Sequence, residues 1–90
     1  MPIKNKTVLD SYKNSQYKLD QYIGKVANTI LKQLDYLDCY DPDNLLDAAD
    51  PGGRLSGVAE AVVVRVVTSC HTKGQEFKNK FFEKGRIFKF

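Results

Sequence analysis

The feature that most limits what this chain folds into is the run Gly57–Cys70, which reads Gly-Val-Ala-Glu-Ala-Val-Val-Val-Arg-Val-Val-Thr-Ser-Cys. On a helix, at about 100° per residue, its valines and alanines surround the axis almost completely. Only Glu60 and Arg65 interrupt them. A helix apolar nearly all round is a core helix, and the chain has only 90 residues with which to cover it. Chains of this size bury about 60–65% of the surface they expose when unfolded. The sequence therefore predicts a homodimer or higher oligomer, in which a second subunit completes the cover. The β-branched content also fits a strand, but Ala59, Glu60 and Ala61 and the length of the run favour helix.

Before this run, Leu9, Tyr12, Leu19, Ile23, Val26, Ile30, Leu34 and Leu37 recur at helical spacing. They predict a long amphipathic helix over residues 7–37, capped by Thr7 and open to a break near Asn14 and Ser15. Leu19, Ile23, Val26 and Ile30 form a heptad-like seam that suits packing on the valine helix or on a second copy of itself. Gly24 costs such a helix about 1 kcal/mol relative to alanine, a loss offset where another backbone passes close by.

Residues 38–53 form an acidic connection, with Asp38, Asp41, Asp43, Asp47 and Asp50 and no basic residue. Asp41 and Pro42 read as N-cap and first-turn proline of a short helix. Asp50, Pro51, Gly52 and Gly53 end it, and the valine helix occupies 54–72. After His71, residues 75–84 suit a short helix with Phe77 and Phe81 at i and i+4, Gly85 as its stop, and an extended 86–90. The alternative for 78–90 is a hairpin. The fold class expected is all-α: one domain over 1–90, a small helical bundle in which the N-terminal helix packs on the valine-rich core helix.

Several function classes are set aside by composition. The N-terminus lacks the apolar core of a signal peptide, and the valine run is shorter and more charged than the roughly 20 apolar residues that cross a bilayer. The expectation is a cytoplasmic protein with no membrane role and with Cys39 and Cys70 as reduced thiols. Asn5, Lys6 and Thr7 match a glycosylation sequon by chance in that setting. Asp41 and Asp43 begin like a calcium loop, but Leu45 and Leu46 stand where a ligand and the glycine belong. Cys39, Cys70 and His71 lack the close-spaced pairs of a zinc site. No metal or cofactor is expected. Cys70 and His71, being adjacent on a helix, point about 100° apart and form no catalytic pair. No other nucleophile and base stand together, so an enzyme is not expected.

Binding signals remain. Net charge is +3, and the segment 73–90 interleaves cations with phenylalanines. Lys73, Lys78, Lys80, Lys84, Arg86 and Lys89 suit phosphates, and Phe81 and Phe88 suit unpaired bases. With the lysines of the long helix, they predict a regulatory or architectural nucleic-acid binder that contacts the phosphate backbone. A second reading places a small phosphorylated or nucleotide ligand at the turn of Gly52, Gly53, Arg54 and Ser56, where glycines let N–H groups converge ahead of a helix N-terminus. Arg65, a lone cation in an apolar run, is expected to mark a ligand pocket or subunit interface. A third reading is an adaptor or inhibitor that docks a partner protein through the acidic connection or the phenylalanine-rich tail.

Overall fold

The computed structural model describes residues 6–83, and among these the chain is all-α, with no strand. Five helices follow in order: α1 (Lys6–Lys13), α2 (Lys18–Leu34), α3 (Pro42–Ala49), α4 (Gly57–Cys70) and α5 (Gly74–Glu83). The expected extended segment 86–90 lies outside the described residues. A hairpin over 78–90 is overturned for its first part, because Lys78 to Glu83 are helical in α5.

The segment 7–37 is two helices rather than one. α1 stops at Lys13, and Ser15 organises the turn that follows. Its hydroxyl accepts the Tyr17 N–H at 3.1 Å and donates to Asp20 at 3.2 Å, while its carbonyl accepts from the Gln21 amide at 2.7 Å. The chain folds back so that Lys13 lies against Gly24. A Cβ at position 24 would sit 2.8 Å from the Lys13 backbone nitrogen, so only glycine admits α1 here. Thr7 lies inside α1 and does not cap it. α2 ends at Leu34, short of Leu37.

The core side of α2 is Ile23, Val26, Ala27, Ile30, Leu31 and Leu34. Leu19 does not continue that seam: it is 60% exposed, because α1 returns over the next turns and leaves the first turn uncovered. α4 lies against α1, α2 and α5, and α3 bridges α2 and α5. This surrounds α4 on most sides and buries Ala59, Val63, Val64, Val66, Val67 and Cys70 within a single chain. α4 is nevertheless not apolar all round in effect. Val58 is 72% exposed, Arg65 and Ser69 are exposed and Val62 is half-buried, so positions 58, 62, 65 and 69 form an outer stripe.

Local signals set most helix ends. Asp41 caps α3, accepting the Asp43 N–H at 3.0 Å, with Pro42 in the first turn. Ser56 caps α4, accepting the Ala59 N–H at 3.2 Å. Gly74 opens α5 where a Cβ would collide with the backbone of Val67 and Thr68, so α5 packs tightly on the end of α4. Phe77 and Phe81 meet edge to face at 4.8 Å and are fully buried. No helix among the described residues is long and apolar enough to cross a membrane.

Candidate nucleic-acid interface

The exposed side of α2 is built by the same periodicity that builds its core side. Positions 18, 25 and 32 step by whole heptads, drifting only about 20° per step, and each is an exposed lysine. At 1.5 Å per residue, Lys18 to Lys32 spans about 21 Å. Gln21 lies exposed between them, with Asn28 and Thr29 half-buried. No acidic residue occupies an exposed position on α2; Asp20 is half-buried beneath its bond to Ser15.

Beside Lys25 the surface dips into a cleft of about 380 Å³. Tyr22, Lys25 and Thr29 form the α2 wall, Ala48, Ala49 and Pro51 form the opposite wall, and Arg54 closes one side. The loop that carries Arg54 is held by Asp50, which is 2% exposed. One Asp50 oxygen accepts from the Tyr22 hydroxyl and from the Arg54 N–H at 3.1 Å. The other accepts the Leu55 N–H at 3.0 Å, and the Asp50 carbonyl accepts the Gly53 N–H at 3.1 Å. Burial opposes the carboxylate, but the Tyr22 hydroxyl, the two N–H groups and the Arg54 charge outweigh it and hold the Asp50 carboxyl below its ordinary range. The same bond to Asp50, with burial, raises the Tyr22 phenol.

These contacts correct the reading of residues 52–56 as a backbone phosphate cradle. The N–H groups of Gly53, Arg54 and Leu55 do converge, but Asp50 already fills them, and the Ser56 oxygen accepts the Ala59 N–H as the cap of α4. Gly52 and Gly53 have positive φ of 84° and 63° and serve to turn the chain around that carboxylate. Arg65 is not part of this loop's surroundings. It lines a separate, smaller depression between α1 and α4, with Val8, Tyr12, Val62, Val66 and Ser69.

The basic aromatic segment is likewise divided. Phe81 is core and offers no face to a base. Lys73 is half-buried, and its ammonium donates to the carbonyls of Leu34 and Leu37 at 3.1 and 3.0 Å, closing the last turn of α2 and the turn that follows it. Lys80 pairs with Glu76 at 3.4 Å and lies 4.1 Å from the centre of the Tyr40 ring. Lys78 stands 5.7 Å from the ring centre of Phe82, which is half-buried. Lys84, Arg86, Phe88 and Lys89 lie outside the described residues. Burial and Glu76 push the Tyr40 phenol up to about 12.

His71 is fully buried and joins three elements. Its Nδ1 accepts the Lys73 N–H at 3.0 Å, so the ring carries its proton on Nε2, which donates to Asp35 at 2.8 Å. Cys70 is buried, which pushes its thiol up, while Cys39 is exposed; both are free. No group of three or more His, Cys, Asp or Glu among the described residues is placed to hold a metal ion.

Lys25 is among the lysines of the long helix expected to contact phosphate, while Tyr22 and Thr29 join it only through the fold. The signal was the lysine heptad on the side opposite the apolar seam, and the second half was Asp50 ahead of two glycines. Comparison with protein-family models, curated proteins and solved structures finds no match for this chain.

Proposed function

We propose that the protein is a non-enzymatic nucleic-acid binder that contacts the phosphate backbone through the outer side of α2. One observation carries this reading: every exposed charged side chain of α2 is a lysine, and Arg54 adds a second cation beside the middle one. A nucleic-acid strand carries one charge per about 3.4 Å of helix axis, so the lysine row runs alongside about six phosphates. Lysine ammoniums on flexible stems neutralise phosphates without reading bases, which makes the contact architectural.

Self-association belongs to the same proposal. The Val58 and Val62 side of α4, next to Val8 and Tyr12 of α1, is the apolar surface a second copy would cover. Sedimentation of the wild type and of Val58→Asp separates a dimer from a monomer.

The test is fluorescence anisotropy with a labelled oligonucleotide, single-stranded and duplex. Replacing Lys18, Lys25 and Lys32 together by alanine is expected to weaken binding at least tenfold, while Lys73→Met leaves it within about twofold. Equal affinity of the triple variant and the wild type would overturn the proposal.

A further inference from the structure

The cleft beside Lys25 has more definition than a row of surface lysines requires. Arg54 is placed by its backbone: Asp50 fixes its N–H and that of Leu55, and two glycines with positive φ set the direction from which the loop approaches. The guanidinium itself remains exposed. Across the cleft Lys25 and Thr29 lie one helical turn apart. The Thr29 hydroxyl donates to the Lys25 carbonyl at 3.1 Å, which leaves its oxygen available as an acceptor. The Tyr22 hydroxyl donates a hydrogen bond to Asp50, so its ring forms a wall and its O–H is not offered to a ligand.

The opposite wall is chemically different. Ala48, Ala49 and Pro51 present small apolar groups and no charge. The space between the walls, about 380 Å³, lies within the roughly 300–1,000 Å³ typical of small-molecule sites. A ligand matched to it carries a compact anion at one end and a flat, weakly polar body at the other. Arginine offers planar paired donors to a phosphate, and lysine adds a mobile point charge.

We propose that this cleft is a pocket for a nucleoside monophosphate unit, with the phosphate between Lys25 and Arg54 and the base against Ala48, Ala49 and Pro51. This rests on the reading of α2 as a phosphate-contacting surface and names what occupies its middle. The same chemistry comes from two sources, a free nucleotide or the phosphorylated end of a strand.

The experiment is an NMR titration of the full chain with AMP, adenosine and inorganic phosphate in parallel. AMP is expected to shift the backbone signals of Lys25, Thr29, Ala48, Ala49 and Arg54 saturably, and to bind about tenfold more tightly than phosphate or adenosine alone. Arg54→Ala keeps the N–H that Asp50 accepts, so the loop stays folded, and it is expected to weaken AMP about tenfold. Lys18→Ala with Lys32→Ala leaves AMP binding unchanged.

AMP binding no tighter than phosphate, shifts spread evenly over all lysines, or no effect of Arg54→Ala each overturns the pocket. If AMP fails while oligonucleotide binding persists, the pocket falls and the broader reading of α2 stands. If AMP binds while the Lys18 and Lys32 variant keeps full oligonucleotide affinity, the lysine row falls and the pocket stands. A 5′-phosphorylated oligonucleotide that binds tighter than its 5′-hydroxyl counterpart assigns the strand end as the source. Equal affinities assign the free nucleotide.

Discussion

Tyr22 of α2 donates its phenolic proton to Asp50, the residue that follows α3, and so ties the outer helix to the loop that carries Arg54. Asp50 acts as an internal anion. It satisfies the N–H groups that a glycine turn ahead of a helix exposes, and it fixes one side of the candidate cleft.

Asp50→Ala strips the acceptor from two N–H groups and one hydroxyl at once. Hydrogen bonds to a charged partner contribute about 1.5–3 kcal/mol each in net terms, and they are not additive. A loss of about 3 kcal/mol in urea unfolding is expected, against about 1.5 kcal/mol for Tyr22→Phe, which leaves the two backbone bonds in place. A double-mutant cycle is expected to show coupling between the two positions.

The depressed Asp50 carboxyl also sets a pH dependence. Its stabilisation is fully present above the unfolded value of about 3.9 and is lost as pH falls below that through the folded value. In that window the unfolded chain binds the extra proton, so stability rises with pH. Unfolding midpoints between pH 2 and pH 6 are expected to fall more steeply for the wild type than for Asp50→Asn, which has no proton to take up there. Parallel curves would remove this role.

Gly24 and Gly52 respond to alanine for different reasons. At Gly24 the added Cβ meets the Lys13 backbone, and overpacking of this kind costs about 1–3 kcal/mol, more than the gain in helix propensity. At Gly52 the space is open, and only the backbone at φ +84° resists, at about 1 kcal/mol. Thermal melts are expected to rank Gly24→Ala below Gly52→Ala.

Lys73 and Phe81 are expected to act on stability alone. Lys73→Met leaves the Leu34 carbonyl at the end of α2 and the Leu37 carbonyl just beyond it without their ammonium and costs about 1–2 kcal/mol. Phe81→Ala empties a fully buried site and costs about 3–5 kcal/mol. Denaturation measured beside oligonucleotide affinity separates these residues from Lys25, whose replacement is expected to change affinity and not stability.

The all-α class was legible because the valine run must be buried and because short-range signals announce helix ends. Asp41 with Pro42, and Ser56 before Gly57, act within three residues, and Gly24 pointed to a close backbone that proved to be α1. What escaped depends on distant contacts. Leu19 continues the heptad of Ile23 and Val26, yet its exposure is decided by where α1 returns. Phe77 and Phe81 at i and i+4 suit a core or a stacking surface equally, and only the fold chooses. Lys73 reads as one more cation until it meets carbonyls 39 and 36 positions earlier. Asp50 reads as a breaker in an acidic stretch, and its work as the anion inside the turn appears only once Tyr22 is brought to it.

The most direct test of the central claim is the salt dependence of oligonucleotide binding by the wild type and by the chain with Lys18, Lys25 and Lys32 replaced by alanine. Each neutralised phosphate of a single strand contributes about −0.7 to the slope of log affinity against log salt. The wild type is expected to lose affinity steeply with salt, and the triple variant to give a slope shallower by about 2. Salt-independent binding, or identical slopes for the two proteins, would contradict it.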